Sequence, residues 1–140
     1  MTATSFVDTN VLIYRATPGP EEHRKAEIAD EILRQPSLGI SVQVLQEFYT
    51  QVTRPTRKNQ ITHEEALDYI SKWKRFPIRP MTEDIFDRAI VACQRCKISY
   101  WDAAIIEAAR EMECREVLSE DLSDQVDYDG IRVMNPFAAR

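Results

Sequence analysis

The sequence predicts an α/β fold in which a central, mostly parallel β-sheet is flanked by α-helices on both faces. Three observations carry that prediction. Apolar runs too short for helices recur at Phe6-Val7, Leu38–Ser41, Val117-Leu118 and Ile131–Met134, as buried strands do. Between them lie longer stretches whose apolar residues fall at helical spacing. Capping residues and prolines mark where those stretches begin and end.

Phe6 and Val7 form the first strand, which hands over at Asp8-Thr9-Asn10 to a turn and then to the apolar run Val11-Leu12-Ile13-Tyr14. Thr17-Pro18-Gly19-Pro20 reads as a loop. Residues 21–34 place Ala26, Ile28, Ala29, Ile32 and Leu33 at helical spacing, and Pro36 closes that helix. A second strand over Leu38–Ser41 ends at a residue suited to cap a helix through Val44, Leu45, Phe48 and Val52, closed by Arg54-Pro55. Thr62 with Glu65 makes a capping-box pattern for a helix through Ala66, Leu67, Ile70 and Trp73. Residues 78–81 form a weaker strand candidate. Thr82 then caps a helix whose first turn holds Glu83 and Asp84, favourable to the helix dipole. A further helix over about residues 101–112 precedes the last two strands, Val117-Leu118 and Ile131–Met134.

A chain of 140 residues, 44% hydrophobic and 29% charged, is expected to form one globular domain. No stretch is long and apolar enough to span a bilayer, and residues 1–8 lack a basic region followed by an apolar one. The expectation is a soluble, cytoplasmic protein. Three cysteines without an export signal argue for reduced thiols. The net charge of -5 opposes a simple phosphate-binding protein, because nucleic-acid affinity rests largely on Lys and Arg. That objection weakens if carboxylates converge on divalent cations, which reverse the local sign that phosphates meet.

Four acids fall at element boundaries: Asp8 after the first strand, Glu47 early in a helix, Asp102 in a helix first turn and Asp121 after a late strand. Gathered at the carboxyl edge of the sheet, where α/β folds place ligands, such oxygen donors suit Mg²⁺ or Mn²⁺. Each also has an ordinary explanation. Asp8 fits a turn cap, although a carboxylate directly after a buried strand needs a partner. Glu47 fits a solvated helix residue, set however between Leu45 and Phe48 at the edge of an apolar stripe. Ser99 to Asp102 matches a capping box, so Asp102 alone reads as a cap. Asp121 and Asp124 lie in the polar stretch 119–129, where acids are usually solvated.

Other chemistries find little support. Cys93 and Cys96 have CxxC spacing, but a zinc site needs about four ligands and no second pair follows. Both read as helix packing residues. Two histidines, His23 and His63, do not make a relay, and three glycines exclude a Gly-rich phosphate cradle. Basic residues cluster at Arg54, Arg57 and Lys58, and again at Lys72, Lys74 and Arg75. Solvated helix ends explain both, while the first is also a candidate RNA track.

Read together, residues 6–14, 40–49, 99–106 and 118–122 resemble the PIN-domain pattern, and most of all VapC-type toxins. The ending Val133-Met134-Asn135-Pro136-Phe137 resembles the close of that family, so the likeness covers nearly the whole chain. It implies a PIN-like fold with Asp8, Glu47, Asp102 and Asp121 as the acidic residues around Mg²⁺ or Mn²⁺, and with Asn10, Ser119 and Asp124 in supporting positions. It also implies an endoribonuclease that pairs as a homodimer and is silenced by a cognate antitoxin protein. One departure stands out: many relatives carry a glycine soon after the last acids, whereas Gln125 follows Asp124 here and the first glycine is Gly130.

The resulting expectation is metal-dependent hydrolysis of RNA phosphodiesters, with Asp8, Asp102 and Asp121 on metal and Glu47 orienting the ion or its water. Two rivals belong to other classes. One is a catalytically inactive PIN-like module that binds RNA or a protein. The other is phosphoryl transfer through Asp8, which usually requires a second Asp two residues on, where this chain has Asn10.

Overall fold

The computed structural model describes residues 3–139. Strand β1 (Ser5–Val7) lies inside the sheet, with Phe6 and Val7 fully buried. Helix α1 (Thr9–Ala16) follows it with a single residue between. That residue is Asp8, extended and N-capping, whose carboxylate accepts from the Thr9 amide. The turn expected over residues 8–10 is therefore the start of a helix. The run Val11 to Tyr14 supplies its apolar face, with Val11 and Leu12 buried.

Helix α2 (His23–Leu33) begins two residues later than its spacing suggests. Glu22 does not cap it by side chain, because its carboxylate accepts from the Gly19 amide at 2.6 Å. Strand β2 (Leu38–Ser41) and helix α3 (Val42–Val52) run as expected, joined by Ser41, whose hydroxyl accepts from the Val44 amide. Helix α4 (His63–Trp73) starts on the complete Thr62–Glu65 capping box. Strand β3 (Ile78–Arg79) stops sooner than the run 78–81 suggests, since Pro80 has no amide hydrogen to continue a ladder. Helices α5 (Glu83–Cys96) and α6 (Tyr100–Glu111) start on Thr82 and Ser99. Strands β4 (Glu116–Leu118), β5 (Asp127–Tyr128) and β6 (Ile131–Met134) complete the chain order. The strand β5, absent from the sequence reading, pairs with β6 through Asp129-Gly130, both at positive φ, as in a two-residue hairpin.

The sheet order is β3-β2-β1-β4-β6-β5, with all neighbours parallel except β5 and β6. The chain thus leaves β1 to build one half of the sheet and returns to its other side with β4. Such a switch point opens a crevice at the strands' carboxyl ends. Helix α6 is buried along residues 103–109, and its Ala103 and Ala104 pack on Ala89 and Ala92 of α5. Small side chains let the two helices approach closely, which fixes where the first turn of α6 presents Asp102. On the other half of the sheet, Phe48 of α3 packs edge-on against Trp73, centroids 4.8 Å apart. Cys93 and Cys96 are half-buried free thiols of α5, and Cys114 is a buried one. Among the described residues no helix is long and apolar enough to cross a membrane.

Gln125 adopts φ +66°. A side chain in this left-handed region costs about 1–2 kcal/mol, partly offset on replacement by the greater freedom of glycine in the unfolded chain. Gln125→Gly should therefore raise stability by about 0.5–1 kcal/mol in urea denaturation. A loss of stability would show that the glutamine side chain contributes more than its backbone costs.

Candidate functional site

Val7 pairs with Leu118 across β1 and β4, so the residues that follow them, Asp8 and Ser119, emerge side by side at the crevice. The Asp8 amide donates to Leu118 O at 3.0 Å, extending the ladder to the rim. Asp8 is 5% exposed, and a buried carboxylate at this position must be satisfied. Its Oδ1 accepts from the Thr9 amide at 2.8 Å, and its Oδ2 accepts from Ser119 Oγ at 2.7 Å. Ser119 Oγ in turn accepts from the amides of Asp121 and Leu122 at 3.1 and 3.4 Å. Asn10 Nδ2 lies 3.3 Å from both Ser119 Oγ and Asp121 Oδ2, and Asn10 Oδ1 accepts from the Glu120 amide.

The other two acids arrive from separate helices. Glu47, one turn into α3, accepts from Thr9 Oγ1 at 2.6 Å on Oε1 and from Gln43 Nε2 at 3.1 Å on Oε2. Asp102 lies in the first turn of α6, its amide donating to Ser99 Oγ at 3.1 Å. A cleft of about 350 Å³ is lined by Asp8, Glu47, Asp102 and Asp121 together with Asn10, and also by Tyr14, Arg57, Trp101 and Glu120. The four acids named from sequence thus meet, although 113 positions separate the outer two in the chain.

Their electrostatics are those of an acid pocket. Burial pushes Asp8 up from 3.8 to about 6; hydrogen bonds from Ser119 and Thr9 pull the other way, and the charges of Asp121 and Glu47 add to the rise. Asp102 is also raised, first by burial, then by Asp121 and Glu47, with the Ser99 contact opposing. Glu120 behaves differently. Burial raises it, but Lys25 and Tyr14 both hydrogen-bond its carboxylate and hold it below the ordinary range.

A divalent cation suits this donor set, because hard oxygen ligands at mutually repelling carboxylates are what Mg²⁺ or Mn²⁺ takes. Among the described residues no three His, Cys, Asp or Glu side chains stand close enough to form a ready-made cage.

The supporting residues divide. Asn10 and Ser119 join the site, whereas Asp124 does not line the cleft and accepts from the Asn135 amide at 2.8 Å. Arg57 lines the cleft, half-buried, with Nη2 donating to Thr17 Oγ1 at 3.1 Å; Arg54 and Lys58 are exposed outside it. Sequence reasoning passed over Thr9 and Gln43, which orient Glu47, and over the Tyr14–Lys25–Glu120 cluster on the rim. Gln43 and Glu47 stand one helical turn apart, a readable spacing; the remaining contacts join distant segments.

A family model described as PIN domain matches residues 5–129. No curated protein matches the chain. Among solved structures, a toxin-antitoxin complex from Klebsiella pneumoniae contains a chain 20% identical, covering 96% of this chain and 99% of its own, with TM-score 0.72. The VapC20 toxin of Mycobacterium tuberculosis, described as cleaving the sarcin-ricin loop, is 20% identical over 84% of this chain and 91% of its own, with TM-score 0.64. FitAcB from Neisseria gonorrhoeae is 19% identical over 96% and 99%, with TM-score 0.63.

The raised Asp8 makes the metal-free protein sensitive to pH. Because the folded value, about 6, lies above the ordinary 3.8, the folded state holds this proton more tightly than the unfolded chain. Its contribution is most favourable below about pH 4, declines as pH rises toward 6 and stays low above, by an amount on the order of 3 kcal/mol. Asp8→Asn removes the ionised form. In chelator, urea denaturation should find the variant more stable than the parent at pH 7 and without that advantage at pH 4; the reverse order would refute the buried-charge account.

Proposed function

Because this chain belongs to the PIN-domain family, we propose that it is a Mg²⁺- or Mn²⁺-dependent endoribonuclease, the toxin of a toxin-antitoxin pair. The observation that carries the reading is the meeting of Asp8, Glu47, Asp102 and Asp121, from four separate stretches of chain, on one cleft at the sheet's switch point. The toxin-antitoxin description of the Klebsiella neighbour supports an antitoxin partner, and the cleaving activity ascribed to VapC20 supports RNA as substrate. A homodimer and a cytoplasmic setting complete the proposal.

In this reading Asp8, Asp102 and Asp121 hold the cation. When bound there, a divalent ion supplies positive charge for the phosphodiester and for the oxygen that departs from it, and favours a deprotonated water. Asp8 is the rigid member, since backbone and hydroxyl donors fix both its oxygens. Glu47 is clamped by Thr9 and Gln43, yet a carboxylate has about four lone-pair sites, so it retains capacity to accept a proton from the attacking water. In-line attack forms one P–O bond and breaks another, leaving a phosphate on one fragment and a hydroxyl on the other. Among the described residues Arg57 contributes the one guanidinium in the cleft lining, and it steers the phosphate on entry.

Purified protein should cleave single-stranded RNA with Mg²⁺ and lose that activity in excess chelator. Asp8→Asn and Asp102→Asn should each lower kcat by at least a hundredfold while leaving circular dichroism unchanged. Undiminished cleavage by Asp8→Asn would end the assignment of this acid cluster as the metal site, and RNA binding without metal-stimulated cleavage would favour the inactive binding module. Since Asp8 must be ionised to hold the ion and protons compete for it, activity should rise with pH through about 6. More Mg²⁺ should move that rise to lower pH; a profile insensitive to Mg²⁺ would break the linkage.

The cleft position of Arg57 sets it apart from its exposed neighbours. Arg57→Ala should raise KM for RNA roughly tenfold with kcat little changed, the size expected for one charge-assisted phosphate contact. Lys58→Ala should change KM less than twofold. Equal effects of the two substitutions would remove the special role of Arg57.

A further inference from the structure

Trp101 is 63% exposed, whereas the other tryptophan, Trp73, is 3% exposed in the core. Its position ties it to the site. It immediately precedes Asp102 in the first turn of α6 and lines the same cleft as Asp8, Glu47 and Asp121. The backbone beneath it is anchored there: the buried Gln43 donates through Nε2 to Trp101 O at 3.2 Å and to Glu47 at 3.1 Å. Tyr100 meets the indole edge-on, centroids 5.1 Å apart at 78°, which supports the ring without covering it.

The geometry points to Trp101 as a stacking platform for an unpaired nucleobase next to the scissile phosphodiester. The inference rests on the nuclease reading of the cleft and deepens it. Side-chain attraction for phosphate is weak here, because acids dominate the lining and Arg57 is its one guanidinium among the described residues. Stacking supplies affinity without charge and accepts any base, since every base has a π face. A base held in a duplex presents only its edges, so it must be unpaired or flipped out to reach the indole.

A second copy of the chain is the rival occupant, because Phe86 is 45% exposed and its ring stands 5.8 Å from Tyr100. The indole, however, shares its rim with Asp102 and Asp121. Covering it with another acidic copy of net charge -5 brings like charges together, whereas a nucleotide meets the same rim through a neutral base.

The test uses the full-length protein in Mg²⁺, exciting tryptophan while adding adenosine 5′-monophosphate or ribose 5-phosphate. Neither contains a phosphodiester, so the result does not depend on cleavage. The mononucleotide should quench emission saturably, ribose 5-phosphate should not, and Trp101→Phe should abolish the quench. In cleavage of a single-stranded oligoribonucleotide, Trp101→Ala should raise KM about five- to a hundredfold with a smaller change in kcat, while Trp101→Phe retains most of the affinity. Equal responses to the two ligands would overturn the proposal. So would a dilution-dependent change in emission that Trp101→Phe abolishes, which would mean that a second copy covers the ring, or duplex RNA cleaved as fast as single strands. If RNA is cleaved but the mononucleotide has no effect, stacking fails and the nuclease reading stands. Quenching without any RNA cleavage would have the opposite meaning.

Discussion

The hydrogen bond from Ser119 Oγ to Asp8 Oδ2, 2.7 Å long and buried, joins the two central strands where they end at the cleft. A hydroxyl has one donor and two lone pairs, and here each is used. The donor opposes the rise that burial causes in the Asp8 carboxylate, and the lone pairs are shared among the amides of Asp121 and Leu122 and Asn10 Nδ2. The direction of the turn after β4, and with it the position of Asp121, is therefore set by the same atom that orients Asp8. This works only because β1 and β4 are parallel neighbours in the register that pairs Val7 with Leu118.

The remaining acids are arranged around that contact in two ways. Those beside the crevice centre have donors but, among the described residues, no ion pair: Glu47 is held by Thr9 and Gln43, and Asp102 is raised by burial and by Asp121 and Glu47. Glu120, farther along the rim, is neutralised by Lys25, whose ammonium also sits 4.8 Å from the centroid of the Tyr14 ring. Arg88 similarly joins Asp84 and Glu111 away from the cleft. Glu120, Asp84 and Glu111 are compensated by cations, whereas Asp121 and Glu47 act on Asp8 and Asp102 as like charges. The net charge of -5 is thus less informative than where the uncompensated part of it lies.

What was legible in the sequence was local. Ser41, Thr62, Thr82 and Ser99 each bond an amide three residues ahead, so a four-residue pattern contains the whole interaction. Asp8 was visible as an acid at a strand end, but its capping of α1 was not, because the apolar run after it is too short to separate a helix from a strand. The hairpin of β5 and β6 had a readable Asp129-Gly130 signal, hidden by strands of two and four residues. The cluster of Glu120 with Tyr14 and Lys25 joins residues 106 and 95 positions apart, and nothing local announces it. Convergence of the four acids belongs to the same class: their positions at element ends were readable, and their meeting required the order of the sheet.

Asp124 shows how that order assigns a role. Its carboxylate accepts from the amide of Asn135, just beyond β6, and the amide of Gln125 donates to Val133 O at 2.8 Å. The left-handed Gln125 turns the chain so that both contacts can form at once. The stretch after Asp121 is consequently fastened to β6, which keeps Asp124 out of the cleft and limits how far Asp121 can swing. Asp121 itself is exposed, unlike Asp8. On the proposed reading this asymmetry has a use: a buried carboxylate fixes one side of the ion, and an exposed one on a tethered loop adjusts to it and to the substrate from the other.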